Sequence, residues 1–184
     1  MSDTIQPGDP SGWQVPPDGE FGVAVPLRLD LVRMDQVAFA VVGIVAYSNG
    51  FFFQFSLRKR VPHELFLHAI PSRGGGLLLA ASWKPPDLGF DIEFADGKQT
   101  VGGGVFPWPR DPAGLRSRIV LHGSSGGGAT TGRSWNSEVW VGPLPPPGPL
   151  FFVYEWSAEG IELTRREIDA QPIIDAALRS ESLW

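Results

Sequence analysis

Cysteine is absent, and histidine and methionine occur only three times and twice in 184 residues. Without cysteine there are no disulfide staples, no thiolate nucleophile and no Cys-based zinc site. That composition suits a reducing cytoplasm. Charge is also scarce, at 19% Asp, Glu, Lys and Arg against about 25% in average proteins. Long apolar runs are missing too. The longest, residues 37–47, has 11 residues, about half of what a membrane-spanning helix needs. Met1-Ser2-Asp3-Thr4 carries neither the basic start nor the apolar core of a signal peptide. The expectation is a cytoplasmic chain with no membrane segment.

Glycine (23) and proline (18) are abundant, so turns are frequent. The 42% hydrophobic residues, 12 of them Phe, still supply ample apolar material for one buried core. The net charge of −5 is unevenly distributed. Residues 1–20 hold four acids and no base, and residues 155–184 hold seven acids and three bases. Residues 21–154 therefore carry 12 − 9 = +3. That excess is small for a nucleic-acid-binding domain, which argues against such a partner.

Period-2 alternation dominates the body of the chain. Leu27, Leu29 and Leu31 alternate with Arg28 and Asp30, the mark of a half-buried strand. Val37 to Tyr47 is apolar on both faces, as in a central strand. Ser48-Asn49-Gly50 comes next, and Asn-Gly predicts a tight hairpin turn with positive φ angles. The return strand places Phe51, Phe53, Phe55 and Leu57 on one face, with Gln54, Ser56 and Arg58 on the other. Phe90, Ile92 and Phe94 alternate with Asp91 and Glu93 before a second turn at Asp96-Gly97. Further strands are expected at 119–121, 139–141, 150–156 and 161–165, about eight in all. His63 to Ile70, opened by Pro62, reads as one or two helical turns.

The ends differ from the body. Residues 1–20, with Pro7, Pro10, Pro16 and Pro17, read as a disordered or strap-like lead-in. Near the C-terminus, Asp169 can cap a helix with Pro172 in its first turn and Ile173, Ile174, Ala177 and Leu178 on one face. Trp184 is expected to tuck behind that helix. The reading is an all-β protein, an antiparallel β-sandwich (immunoglobulin-like or related) over residues 21–167, with a short C-terminal helix within 168–184.

Several motifs look chemical at first sight. Gly123-Ser124-Ser125-Gly126-Gly127 fits the nucleophile elbow of serine hydrolases, with His122 beside it. The chain then continues through Gly128 to Gly132, with no helix former to complete the strand-to-helix turn. The same loop lacks the lysine and the helix of a phosphate-binding loop, Arg133 standing in the lysine place. His63 and His68 are five apart, so on a helix they diverge by about 140° and cannot share one metal. Asp91 and Glu93 are read as the solvated side of their strand. The run Pro143 to Pro149 has no flanking base for an SH3-type partner and is read as a stiff crossover between strands. No catalytic residue, metal ligand or cofactor is assigned.

What remains is surface. Arg58, Lys59 and Arg60 end the Phe-rich strand and, besides blunting a strand end, can contact an acidic partner. Of the seven tryptophans, Trp83 and Trp108 sit in proline-rich stretches and are the candidates for a contact surface. These five residues are the expected partner or ligand surface of a non-catalytic module that binds protein, itself or another. The alternative is a small-ligand or carbohydrate-binding sandwich that stacks a ring on Trp83 or Trp108. A serine hydrolase based on Ser125 and His122 ranks third.

The segment Trp140 to Leu150, the strand end Tyr154-Glu155-Trp156, the Asn49-Gly50 and Asp96-Gly97 turns and the Leu183-Trp184 terminus resemble a group of small actinobacterial proteins with no assigned activity. The resemblance covers most of residues 35–184, and its most specific part is the proline run followed by the Glu-Trp strand end. It implies a bacterial cytoplasmic protein and brings no site residues.

Overall fold

The computed structural model describes residues 15–61, 88–99 and 133–184 in full, and 66–71, 77–82 and 120–124 as backbone. These residues form thirteen strands and one α-helix. In chain order they are β1 (Glu20–Phe21), β2 (Val23–Val25), β3 (Leu29–Arg33), β4 (Val37–Tyr47), β5 (Gly50–Lys59), β6 (Phe66–Pro71) and β7 (Leu77–Ser82). Then come β8 (Leu88–Phe94), β9 (Val120–Ser124), β10 (Ser134–Gly142), β11 (Pro149–Trp156), β12 (Ile161–Asp169), α1 (Gln171–Ala177) and β13 (Glu181–Ser182). The fold is an all-β antiparallel sandwich with a short C-terminal helix.

One layer is a six-stranded sheet in the order β2-β4-β5-β10-β9, with β3 also on β4. The other is the three-stranded sheet β12-β11-β8, extended by α1, which packs on β2, β4 and β5. Phe51, Phe53, Phe55 and Leu57 all point inward and are fully buried. Aromatic edges knit the layers: Phe53 meets Phe90 and Phe152 at 5.5 Å, and Phe39 meets Phe90 at 6.0 Å and Tyr154 at 6.3 Å. Each such ring contributes roughly 1.5–3 kcal/mol by burial. The Tyr154 hydroxyl donates to the Leu31 carbonyl at 2.5 Å, so the one polar tip in this aromatic cluster is satisfied inside the core. The Pro143 to Pro147 run does carry the chain from one sheet to the other, between β10 and β11.

The β4–β5 hairpin forms one residue off the expected turn. Tyr47 pairs with Gly50, so Ser48 and Asn49 occupy the turn and Gly50 begins β5. Gly50 is needed there for space. A Cβ would lie 2.5 Å from both the Trp140 ring and the Val141 carbonyl oxygen. At Asp96-Gly97 the expectation holds: Gly97 has φ of 79° and its N–H donates to the Phe94 carbonyl at 3.0 Å.

Three expectations are corrected. Residues 66–71 are not helical but form β6, hairpinned to β7 from Phe66↔Ser82 to Pro71↔Leu77. A two-turn helix gains few hydrogen bonds for its nucleation cost, whereas two adjacent apolar runs satisfy each other across a ladder. His63 and Pro62 lie outside the described residues. Secondly, α1, of seven residues, is neither capped nor faced as expected. Its N-cap is Ala170, with no side-chain cap bond, rather than Asp169, whose Oδ1 accepts the Gln171 N–H at 2.9 Å from one residue further out. Ile173, Ala176 and Ala177 are buried, but Leu178 is 81% exposed. Thirdly, Trp184 does not tuck behind the helix; it is 90% exposed. The chain after α1 turns back to pair β13 with β1, and the indole lies over Gly19 of that ribbon.

Candidate interaction surface

The Arg58-Lys59-Arg60 segment is split by the strand's period of two. Lys59 follows Phe55 and Leu57 onto the inner face. Its ammonium pairs with Glu159, of the one-turn 3₁₀ helix after β11, and lies 5.5 Å from the centre of the Trp156 ring. Both charged side chains are largely buried, so Lys59 acts as a tie between the two layers. Arg58 lies on the outer face, where its Nη1 donates to the Leu57 carbonyl (2.9 Å) and to Asn136 Oδ1 (3.0 Å). Arg60 is exposed, and its backbone N–H donates to the Gln36 carbonyl. Trp83 and Trp108 lie outside the described residues.

The outer face of the six-stranded sheet is ordered in rows by its register. One row carries Val45, Phe52 and Trp140 across β4, β5 and β10, and the next carries Gln54 and Glu138. A third carries Ala40, Ser56 and Asn136. Trp140 is fully buried despite facing outward, packed 5.1 Å from Phe52 and 5.8 Å from Tyr47. Burial, followed by the nearby Glu138 and Glu20 carboxylates, raises the Tyr47 phenol above its ordinary value of 10.0. Gln54 Nε2 donates to Glu138 Oε1 (3.0 Å), and Ser56 Oγ to Asn136 Oδ1 (2.8 Å). These side chains bond one another along the ladder.

Residues 19–21 and 181–183 meet in the β1–β13 ribbon, closed by Glu20↔Ser182, Phe21↔Glu181 and a Leu183 N–H to Gly19 carbonyl bond of 2.9 Å. Residues 15–20 are also held by the β4–β5 turn. The Glu20 carboxylate accepts from the Ser48 N–H (3.0 Å) and hydroxyl, and Asn49 Nδ2 donates to the Val15 carbonyl (3.0 Å). This ribbon exposes large apolar side chains: Phe21 at 66% and Trp184 at 90%, with Leu178 just before it at 81%. The Trp184 indole lies over Gly19, 3.4 Å from where a Cβ would stand. Sequence reasoning missed these exposed residues. Leu178 carries a helical-face signal, and a terminal tryptophan gives no sign of whether the chain end packs down.

The other motifs find no joint site. His122 and Ser124 lie on β9, in register with Trp140 and Glu138, while Ser125 lies outside the described residues. Glu93 is engaged by Arg165, whose guanidinium also stacks 3.6 Å over the Phe151 ring. Among the described residues, no group of three or more His, Asp or Glu is placed to hold a metal ion, and no helix is long and apolar enough to cross a membrane. The chain matches no protein-family model, no curated protein and no solved structure.

Proposed function

We propose that this chain is a non-catalytic interaction module that docks another protein on its terminal ribbon. The observation that carries this reading is the exposure of Phe21 and Trp184 on the β1–β13 ribbon, where the Trp184 indole lies over Gly19. Monomeric proteins scatter exposed apolar residues singly. Large ones gathered at one place, with Trp and Phe among them, have the composition of interface anchors. The ribbon is held by backbone pairing and by the Glu20–Ser48 contacts, so such anchors would be presented with little ordering cost. The resemblance to actinobacterial proteins supports a bacterial cytoplasmic setting.

The test replaces Trp184 with a photo-crosslinking aromatic residue, in the wild-type background and beside Phe21→Ser. The expected result is one discrete cross-linked protein from the native lysate, strongly reduced by Phe21→Ser. Absence of any adduct, or equal capture in the Phe21→Ser background, would overturn the proposal.

A further inference from the structure

The basic end of the six-stranded sheet carries a second surface, and its register gives it a shape. Arg33 on β3, Ala38 on β4 and Arg58 on β5 are consecutive partners in one row, so both arginines lie on the outer face with an alanine between them. Two strand spacings separate their backbones by about 10 Å. The adjacent row repeats the pattern with Asp30, Ala40 and Ser56. The result is a trough along β4, floored by Ala38 and Ala40, both half-buried, and walled by longer side chains from β3 and β5.

Positive charge is concentrated at this trough in an acidic chain. Elsewhere Lys59, Lys98 and Arg165 pair with Glu159, Asp96 and Glu93, and Arg166 and Arg179 stand apart, on β12 and after α1. At this corner Arg28 and Arg33 share Asp30 at 3.4 Å. Arg58, Arg60 and Arg133 have no carboxylate partner among the described residues. Arg133 is brought to the same corner because its carbonyl accepts the Lys59 N–H at 2.8 Å. Arg58 is moreover oriented: its Nη1 is held by the Leu57 carbonyl and Asn136, while its other nitrogens remain available for an incoming anion. A planar, partly fixed guanidinium suits a carboxylate better than a mobile ammonium does, because less freedom is lost when the second bond forms.

We propose that this trough, with Arg33 and Arg58 as its walls and Arg60 and Arg133 at its mouth, binds an acidic segment of a partner protein in extended form. A nucleic acid fits less well. Its affinity comes from many neutralised phosphates along a basic track, and among the described residues the basic field ends within one corner, in a chain of net charge −5. A short acidic segment meets only the local arginines, since the remaining charge is screened beyond about 10 Å at 0.1 M salt. The proposal rests on the interaction-module reading but uses a different surface from the terminal ribbon.

The probe is a fluorescein-labelled hexaglutamate peptide, measured by anisotropy at low salt beside a Gly-Ser peptide and a single-stranded oligonucleotide of equal charge. Wild-type protein is expected to bind the glutamate peptide in preference to both. Arg58→Ala should weaken it about tenfold, the scale of one charge-assisted contact. Arg33→Ala/Arg58→Ala should abolish measurable binding. Arg58→Lys should recover part of the loss, and binding should fall steeply with salt. All four sites are exposed, and unchanged thermal melts verify folding. No peptide binding by wild type, equal binding by the double alanine variant, or tighter binding of the oligonucleotide each overturn the proposal. Phe21→Ser/Trp184→Ser leaves the trough intact and should bind the peptide normally. Failure here therefore leaves the ribbon's own cross-linking result standing or falling separately.

Discussion

Replacing Lys59 by methionine separates its role as an internal tie from a role at the surface. The side chains of Lys59 and Glu159 are 9% and 15% exposed and bridge β5 to the loop after β11, with Trp156 beneath the ammonium. Methionine keeps most of the buried stem but leaves Glu159 without this cation in a poorly solvated place. Breaking one partner of such a pair costs about 3 kcal/mol, the lower end for buried pairs because some solvent still reaches both groups. For a domain of this size each kcal/mol shifts Tm by about 2–4 °C, so a fall of roughly 6–12 °C is expected. The double variant Lys59→Met/Glu159→Leu removes both charges and should recover to within about 1 kcal/mol of wild type. The coupling between the two sites would then be about 2 kcal/mol or more. Urea unfolding followed by tryptophan fluorescence measures all four members of the cycle. A cost below about 0.5 kcal/mol for Lys59→Met, or simple additivity in the double variant, would refute the assignment.

Other consequences are equally direct. Tyr154→Phe removes only the bond to the Leu31 carbonyl and leaves that acceptor buried, so denaturant unfolding should show a loss of about 1–3 kcal/mol. Gly50→Ala forces a Cβ against the Trp140 ring and the Val141 carbonyl; a loss of about 2 kcal/mol or more is expected, with altered near-UV dichroism from Trp140. The Tyr47 phenol, raised by burial and by Glu138 and Glu20, should ionise above the ordinary value of 10.0 in a titration at the tyrosinate absorbance, and Glu138→Gln should lower it. Because the folded value is the raised one, its contribution to stability is complete below about pH 10 and is lost as pH climbs through the folded value. Asp96 is held below the ordinary carboxylate range, first by its side-chain bond with Lys98. NMR titration should show Lys98→Ala returning it upward, and any stability it lends is present above the ordinary value and lost as pH falls through the lowered one.

Sequence by itself determined the strands whose side chains alternate: the inward row Phe51, Phe53, Phe55 and Leu57, the row Phe90, Ile92 and Phe94, and the turn at Asp96-Gly97. Those features rest on period-2 burial and on local turn chemistry, which need only neighbours along the chain. The same periodicity was available for Lys59, since it continues the inward row. A charged side chain at a strand end nevertheless reads as solvated until the partner is known, and Glu159 lies 100 residues away. Short apolar runs are ambiguous in the same way: Phe66 to Pro71 fits a helix or a strand until β7 is seen beside it.

Tertiary structure alone decided the rest. Arg33 and Arg58 share a face only because β3 and β5 flank β4 in a particular register. Phe21 and Trp184 share one ribbon only because β1 and β13, far apart in the chain, pair with each other, leaving exposed a tryptophan that local hydrophobicity would bury. Periodicity reports which face of a strand a residue occupies; which strand lies beside it, and whether anything covers that face, is fixed by pairing between distant segments.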